Sequence, residues 1–443
     1  MKVDDLKSAV ADGTIDTVLL AFADMQGRLQ GKRLVGKHFV EDVLDHDAEA
    51  CNYLLAVDVD MNTVEGYTMS SWSTGYGDFV MKPDLDTLRL VPWHDRTAMC
   101  MGDLVWHDES PVVASPRQIL RRQLDRLAER GWSALAATEL EFIVFRDTYE
   151  EAFDKGYKGL VPGNQYNVDY SILGTSRLEP LIGRIRREMA GAGLEVENSK
   201  GECNFGQHEI NFTYEGALGA ADTHTIYKNG AKEIASQEGM AITFMAKFNE
   251  REGNSCHIHL SLRGTDGDEP VFAEQPELFD HFMAGQLACM RDLTLFVAPN
   301  INSYKRFAVG SFAPTAVAWG RDNRTCSLRV VGHGPGLRVE SRVAGGDVNP
   351  YLAIASMIAS GLHGIDSKLE LEPAFEGNAY TADKPRVPST LLEARELFAG
   401  SEVAREAFGE DVVAHYLNNA DVELRAFEAA VTDWEHVRGF ERL

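Results

Sequence analysis

Two carboxylates stand inside an otherwise apolar run at residues 138–145, TELEFIVF. Read as a β-strand, this run points Glu139 and Glu141 to one face and its apolar side chains to the other. Neighbouring anions in a low-dielectric setting repel one another and resist desolvation, so they need a cation, a shared proton or open water. The rest of the chain must supply that partner.

Acidic and histidine side chains alternate with apolar ones in three further segments. They are Glu202 and Glu209 in GECNFGQHEINF, His257, His259 and Ser261 in SCHIHLSL, and Glu340 in LRVESR. Many carboxylates joined by one or two imidazoles, without paired thiols, suit Mg²⁺ or Mn²⁺ better than structural zinc. Taken singly, each residue is more often an exposed glutamate or a hydrogen-bonded core histidine. Their recurrence across several strands favours a metal site.

Positive charge is concentrated at residues 321–342, RDNRTCSLRVVGHGPGLRVESR, which hold five arginines and no lysine. The rigid guanidinium fork suits phosphate and carboxylate recognition, although surface ion pairing is the simpler alternative. The chain has no glycine-rich GxxxxGK[ST] loop, so nucleotide phosphates would be held by cations and guanidinium groups. Together with the carboxylates, the arginines indicate a phosphoryl-transfer site.

The composition argues against nucleic-acid-binding, exported and membrane-spanning proteins. A net charge of -25 over 443 residues argues against an extended nucleic-acid surface. The six cysteines form no CxxC pair, which is typical of reduced thiols, and the N-terminus does not read as an export signal. No apolar run reaches the ~18 residues of a membrane span. We therefore expect a cytoplasmic enzyme with no nucleic-acid or membrane partner.

The length favours two domains, at residues 1–105 and 106–443. The first part interleaves apolar, β-branched runs with Gly and Asp turns, as in a small α+β domain. A helix is predicted after the connector, with Ser115 as N-cap, Pro116 at its first position and Gly131 closing it. The remainder alternates predicted strands, including the acidic segments above, with helices at residues 176–193, 277–293 and 349–364.

The sequence resembles glutamine synthetases of the bacterial type I group over nearly its whole length. The resemblance rests on motifs in the right order: ELEF, KGECNFGQHEINF, NSCHIHLSL, APNINSYKR at residues 298–306, the DNR…LR…E-R block and NPYL at residues 349–352. It implies an α+β fold with a small N-terminal β-grasp domain and a large catalytic domain, whose curved antiparallel sheet is flanked by helices. It also implies a homo-oligomer, typically a dodecamer, in which the neighbour's N-terminal domain completes each funnel-shaped site.

The resemblance implies two or more divalent ions, Mg²⁺ or Mn²⁺, at each site. The ion beside the acceptor would be held by Glu141, Glu202 and Glu209. The ion that binds the ATP phosphates would be held by Glu139, His257 and Glu340.

The resemblance also implies where the substrates bind. The nucleotide would contact Glu197, Tyr214, His259 and Ser261. Arg306 and Arg342 would hold the carboxylates of L-glutamate, with Gly253 in the loop over its other end. Arg324, Arg329 and Arg338 would face the transferring phosphate. In this chemistry glutamate is activated as γ-glutamyl phosphate, and an amine then displaces phosphate.

Two positions depart from the ammonia-using members of the group, which bind and deprotonate ammonium with two carboxylates. Alignment on Trp72 places Glu65 at the first position, and counting from Arg306 places Phe312 at the second. A phenyl ring cannot take a proton, but it can pack on methylene groups or face an alkylammonium. We therefore predict an organic amine as second substrate, as in γ-glutamylpolyamine and γ-glutamylethanolamide synthetases, which the C-terminal TDWEHVRGFERL also resembles.

A short amine such as ethanolamine is favoured over a polyamine, because Glu65 offers an anion for one ammonium but no row of carboxylates for several is evident. Two alternatives stay open: an ammonia-using synthetase, and a catalytically silent relative that acts as a scaffold. Tyr380, in EGNAYTADKP, lies near the tyrosine that some relatives adenylylate, but in a shortened segment.

Overall fold

The computed structural model describes residues 1–265 and 268–443. Strands and helices both contribute substantially, in two separate β-sheets, which confirms the predicted α+β class. No helix within these residues is long and apolar enough to cross a membrane. All six cysteines are free thiols.

The first sheet lies entirely before residue 106. Its strands are β1 (Thr17–Ala23), β2 (Leu29–Val35), β3 (Ala48–Cys51), β4 (Asp78–Leu90) and β5 (Thr97–Val105). They are ordered β2-β1-β5-β4-β3, with β1 and β5 parallel and the other pairs antiparallel. The sheet lies in the region for which the family resemblance implied a β-grasp domain. The apolar segment NYLL, which follows β3, forms a 3₁₀ turn at Asn52–Leu55.

The second sheet is built around one long central strand. Its strands are β6 (Trp132–Phe145), β7 (Val196–Gly201), β8 (Gln207–Phe212), β9 (Glu215–Gly216), β10 (Ala241–Thr243), β11 (Cys256–Gly264), β12 (Trp319–Arg321), β13 (Leu328–Val331) and β14 (Arg338–Ser341). The main order is β12-β13-β14-β11-β6-β8-β7, and β9 and β10 also pair with β6. All pairs are antiparallel except β12 with β13. The strand predicted from TELEFIVF is therefore the centre of the sheet.

Three helices lie before residue 106 with the first sheet, and the others lie after it with the second. In chain order they are α1 (Val3–Ala11), α2 (Gly36–His38), α3 (Leu44–His46), α4 (Pro116–Ala128), α5 (Tyr149–Asp154), α6 (Ile172–Thr175), α7 (Glu179–Gly191), α8 (Ala217–Gln237), α9 (Val271–Glu274), α10 (Pro276–Cys289), α11 (Thr294–Val297), α12 (Ile301–Tyr304), α13 (Pro350–Asp366), α14 (Leu391–Gly400), α15 (Glu402–Phe408), α16 (Glu410–Ala429) and α17 (Asp433–Gly439). Helices α4, α7, α10 and α13 match the four predicted ones, and α4 begins after Ser115 as expected. The almost fully buried α13 packs against α4, α8 and α10.

A buried arginine connects the first sheet to helices that pack on the second sheet. Arg117 of α4, 2% exposed, donates to Asp103 of β5 and Asp84 of β4, each at 2.6 Å, and to Asp222 of α8 at 3.0 Å. Burying a guanidinium is tolerable only with such complete pairing. The contacts hold the first sheet against the helices of the second. The division at residues 105 and 106 stays a prediction.

Candidate active site

The register around β6 brings the predicted ligands together. Glu139 lies opposite His257 of β11, and Glu141 lies opposite Glu209 of β8. On the next strand pair, His259 lies opposite Glu340 of β14. Because directly opposed residues project to the same face of a sheet, all of these side chains share one face. The site is thus a row of acids and imidazoles across adjacent strands.

Glu139 is paired with both histidines of β11. Its Oε2 lies 3.1 Å from His257 Nδ1 and its Oε1 lies 2.9 Å from His259 Nε2. Burial would raise the pKa of Glu139, but the hydrogen bonds from the histidines lower it overall. Burial and the positive charge of Arg342 lower the pKa of His257, which favours the neutral, ligating imidazole.

Three ligand atoms from Glu139, His259 and Glu340 lie within 4.8 Å of one another. His257 contacts the same two carboxylates, since its Nδ1 is also 3.6 Å from Glu340. Its buried Nε2 has no hydrogen-bond partner among the residues described. Both histidines therefore lie at the predicted site of the phosphate-side ion. The assignment of His257 to the metal and of His259 to the nucleotide stays a prediction.

A second acidic cluster consists of Glu141, Glu202 and Glu209, whose ligand atoms also lie within 4.8 Å of one another. Burial, together with the negative charges of Glu141 and Glu139, raises the pKa of Glu209 to about 7, although Lys200 opposes this shift. The Lys200 ammonium contacts Glu202 and lies 3.4 Å from Glu209. The cluster is the predicted acceptor-side ligand set, and its electrostatics call for a cation.

The donor types of both clusters fit the predicted cofactor. They supply mainly carboxylate oxygens, the ligands that Mg²⁺ and Mn²⁺ prefer, with one imidazole nitrogen in the first cluster. A third group, formed by Asp169, Glu202 and Cys203, includes a thiol, but Asp169 is exposed and burial raises the pKa of Cys203 to about 11. That thiol is protonated at neutral pH and is a poor metal ligand.

Three of the five arginines of residues 321–342 contact the Glu139 cluster. Arg329 lies opposite Glu340 in the β13–β14 pair and donates to its Oε2 at 2.9 Å, while Arg342 contacts the other oxygen of Glu340. Arg338 donates from Nε to His259 Nδ1 at 3.2 Å. The predicted phosphate-facing cations thus lie beside the predicted phosphate-side ligands.

Two cavities meet at Glu139. One, of about 580 Å³, is lined by Glu139, Glu141, Glu202, Glu209, Gly253, His257, Phe312, Arg324, Arg329 and Arg342, among others. The second, of about 500 Å³, is lined by Glu139, Glu197, Tyr214, His259, Ser261 and Arg338, among others. The second cavity therefore collects every residue predicted to contact the nucleotide, while the first collects most of the residues predicted on the acceptor side.

Arg306 lies buried behind the first cavity, with 1% of its surface exposed. Its Nη2 donates to the carbonyls of Val343 and Ala344, and burial lowers its pKa to about 10. Its Nε and Nη1 have no hydrogen-bond partner within residues 1–265 and 268–443. A buried guanidinium with unsatisfied N–H groups fits an anionic ligand that is not part of the chain.

Gly253 is required by the position of Arg306. A Cβ atom on Gly253 would lie 2.2 Å from the Ala246 carbonyl oxygen and 2.8 Å from Arg306 Cγ. No larger residue fits without displacing backbone, so the glycine lets this loop pass close over the arginine.

Phe312 lies on the wall of the first cavity with 54% of its surface exposed and φ of 54°. This left-handed conformation is uncommon for a bulky residue. Tyr380 lies nearby, and its pKa is raised by burial, with the charges of Arg342 and Arg306 and the Phe312 backbone lowering it in part. The buried Tyr380 hydroxyl is not presented to solvent, unlike a tyrosine in an exposed modification loop.

Glu65 is not among the residues that line either cavity of the described chain. It is exposed, and its carbonyl accepts a hydrogen bond from Asn418 of α16 at 3.0 Å. The expectation that a neighbouring subunit brings Glu65 to the site stays a prediction.

Sequence reasoning did not single out many of the residues that line the first cavity, and three of them serve as examples. They are Asp169, Lys200 and Gln207. Asp169 lies in an irregular loop, where no periodicity marks it. Lys200 is directly opposite Glu209 in the β7–β8 pair, a relationship that requires the register to be known.

Comparisons with known proteins identify the family. Residues 113–438 match the family described as "Glutamine synthetase, catalytic domain". The chain is 64% identical to the gamma-glutamylethanolamide synthetase GlnA4 of Streptomyces coelicolor, over 100% of this chain and 96% of that protein. It is 37% identical to a glutamate–isopropylamine ligase of Pseudomonas sp., over 96% of this chain and 95% of that protein.

The fold is shared with the solved structure described as "GmaS/ADP complex-Conformation 1". The two superpose with a TM-score of 0.86 over 99% of each chain, at 24% identity. The chain therefore belongs to the glutamine synthetase family and is a ligase, which confirms the family, the fold and the enzyme class predicted from its sequence.

Proposed function

We propose that the chain joins the γ-carboxylate of L-glutamate to ethanolamine in an ATP-dependent reaction that yields γ-glutamylethanolamide, ADP and phosphate. The observation that carries the proposal is Phe312 on the wall of a cavity that is also lined by Glu139, by the whole second acidic cluster and by three of the arginines. The site retains the groups for phosphoryl transfer but presents an aromatic ring where ammonia-using relatives have a carboxylate. The ethanolamide synthetase at 64% identity supports the choice of amine.

ATP binds in the second cavity, with its base and ribose toward Tyr214 and Ser261 and its phosphates toward Glu139. This orientation follows because Glu139, a predicted phosphate-side ligand, lines both cavities, as does Asn211. The γ-phosphate then points into the first cavity, where the acceptor binds.

Glutamate binds in the first cavity with its α-carboxylate toward Arg342 and the buried Arg306. The unsatisfied N–H groups of these two arginines support this placement, since Arg342 Nε is also buried without a partner in the described chain. Gly253 lies over the γ-carboxylate.

The divalent cofactor, Mg²⁺ or Mn²⁺, supplies Lewis-acid neutralisation of the phosphate oxygens when it is bound. Glu141, Glu202 and Glu209 hold one ion, and Glu139, His257 and Glu340 hold another. His259 is placed to contact either the second ion or the nucleotide.

In the first step a γ-carboxylate oxygen attacks the γ-phosphorus, and the bond from that phosphorus to the β–γ bridging oxygen breaks. ADP leaves and γ-glutamyl phosphate forms. Arg324 and Arg329, which line the cavity, stabilise the charge on the phosphoryl oxygens, while Arg338 steadies the phosphate chain.

In the second step the neutral amine attacks the acyl carbon, phosphate leaves, and the nitrogen loses its extra proton. An alkylammonium must give up one proton before it can attack. We assign its capture to Glu65 of a neighbouring subunit, and Phe312 packs on its methylene groups.

This assignment requires a homo-oligomer, and a dodecamer is the form that the family resemblance implies. Trp72, close to Glu65, is 75% exposed in the single chain, as expected of a side chain that a neighbour covers. The six free thiols suit a cytoplasmic protein.

Phosphate release tests the proposed reaction. The enzyme is assayed with glutamate, ATP and Mg²⁺ against ammonium, ethanolamine, isopropylamine and a polyamine. Ethanolamine is expected to give the highest kcat/KM. Highest activity with ammonium would establish the ordinary synthetase, a polyamine optimum would overturn the choice of a short amine, and no turnover with any amine would establish a silent relative.

The role of Glu65 across subunits has its own test. Chains carrying Glu65→Ala or Arg329→Ala are each expected to be inactive in amide formation. Coexpressed, they are expected to recover up to about one quarter of the activity, because random assembly rebuilds that fraction of interfaces from two intact partners. No recovery would overturn the shared site.

A further inference from the structure

Gln207, the first residue of β8, is 1% exposed and fully engaged in hydrogen bonds. Its side-chain oxygen accepts from the Asn204 backbone N–H at 2.9 Å. The other terminal atom of the amide is therefore the nitrogen. That nitrogen, Nε2, faces three acceptors: Glu141 Oε2 at 3.1 Å, the Gly253 carbonyl at 2.9 Å and Asn254 Oδ1 at 3.0 Å.

These acceptors belong to two different parts of the site. Glu141 is a member of the acidic cluster with Glu202 and Glu209. Gly253 and Asn254 belong to the loop that passes over Arg306. The same loop is held from its other side, where Asn204 Nδ2 donates to the Glu252 carbonyl at 2.6 Å.

The three acceptors compete for the two N–H groups of the Gln207 amide. A primary amide has two N–H groups, so three acceptors cannot each have a full hydrogen bond. A cation on Glu141 withdraws electron density from its oxygens and weakens Oε2 as an acceptor. Both N–H groups of Gln207 are then available to Gly253 and Asn254, and the loop is held more firmly.

We propose that Gln207 is a positioning residue that couples cation binding at Glu141, Glu202 and Glu209 to the ordering of the loop at residues 252–254. Two parts of this inference rest on the proposed function: that the cation is Mg²⁺ or Mn²⁺, and that the ligand covered by the loop is glutamate. By reciprocity, glutamate must raise cation affinity by the same factor by which the cation raises glutamate affinity.

Gln207→Met removes the amide at nearly constant volume and length. Gln123→Met is the matched control, because Gln123 is equally buried, donates from Nε2 to the Ala407 carbonyl at 3.0 Å, and lies on α4 away from the cavities. Mn²⁺ binding to the full-length oligomer is titrated by electron paramagnetic resonance, with and without saturating L-glutamate.

In the wild type and in Gln123→Met, glutamate is expected to raise the affinity for Mn²⁺ by about 5- to 10-fold, at the lower end of usual coupling factors. In Gln207→Met that factor is expected to fall to about one, while Mn²⁺ alone still binds. An unchanged factor in Gln207→Met, or no coupling in the wild type, would overturn the proposal.

Hydrogen exchange tests the coupling in the wild-type protein without glutamate. The result therefore does not depend on whether Gln207→Met folds. Mn²⁺ alone is expected to slow amide exchange at residues 252–254 of the wild type, and unaltered exchange there overturns the coupling. Slowed exchange in a protein that binds no glutamate would overturn the substrate assignment and still support the coupling.

Discussion

Glu139 and His257 occupy directly opposed positions on β6 and β11, and the carboxylate Oε2 lies 3.1 Å from the imidazole Nδ1. The other oxygen of Glu139 reaches His259, two residues further along β11, at 2.9 Å. One carboxylate therefore aligns both histidines at the junction of the two cavities.

Replacing Glu139 by Gln keeps the shape of the side chain but removes its charge. Both histidines lose a charged partner, and the proposed phosphate-side ion loses a ligand. Mn²⁺ affinity measured in the presence of ADP is expected to fall by about 10- to 100-fold or more. The exposed Glu129→Gln is the control, and an affinity equal to that of the wild type would remove Glu139 from the ligand set.

Arg342→Lys keeps a positive charge next to Glu340 but loses the planar fork. The KM for glutamate is expected to rise by about 10- to 150-fold, which corresponds to one charge-assisted hydrogen bond of ~1.5–3 kcal/mol. The KM for ATP is expected to change little. Arg184→Lys, on the surface of α7, serves as the control. A selective increase in the KM for ATP would contradict the placement of glutamate.

Phe312→Glu places a carboxylate on the cavity wall in a backbone conformation that Glu tolerates as well as Phe does. The ratio of kcat/KM for ammonium to that for ethanolamine is expected to rise by about tenfold or more, because an added anion attracts the small cation. Phe312→Leu separates loss of the ring from gain of charge, and should reduce the use of ethanolamine without improving that of ammonium. If neither variant changes the ratio, Phe312 does not contact the amine.

The acidic cluster predicts a pH dependence of cation binding. Burial raises the pKa of Glu209 to about 7, so the metal-free chain holds a proton that a bound cation must displace. Mn²⁺ affinity at this cluster is expected to fall by about tenfold per pH unit below about pH 6.5, and to level off above about pH 8. Binding that does not vary with pH over this interval would contradict the shift.

The same raised pKa has an opposite consequence for the metal-free fold. The folded chain keeps the Glu209 proton up to about pH 7, whereas the unfolded chain releases it near the ordinary glutamate pKa of 4.5. The folded state thus binds more protons between these values, and its stability falls as the pH rises through them. This fall in stability with pH should be absent in Glu209→Gln. The midpoint of urea denaturation, measured at several pH values, follows it.

The alternation of Glu139 and Glu141 was sufficient to predict a strand with one acidic face, because side-chain direction follows strand periodicity. The partners of the two carboxylates differ, and only the fold reveals them. Glu139 is held by histidines across the strand pair, whereas Glu141 accepts from the Ser255 backbone N–H at 2.7 Å and from Gln207. Backbone donors carry no signature in a sequence.

Other features depend on long-range geometry. The exposed position of Glu65 follows from how residues 52–77 fold beside α16, and no local pattern encodes it. Phe312, by contrast, was found by counting from Arg306, because the short loop between them leaves little freedom in spacing. The contribution of Asp169 to the cavity wall depends on a loop conformation that periodicity does not describe.

The most direct test of the proposed reaction is a competition between amines. The enzyme is incubated with glutamate, ATP and Mg²⁺ in the presence of equal concentrations of ammonium and ethanolamine, and the amide products are quantified by mass spectrometry. The proposed function predicts γ-glutamylethanolamide in large excess over glutamine. Glutamine as the main product would contradict it.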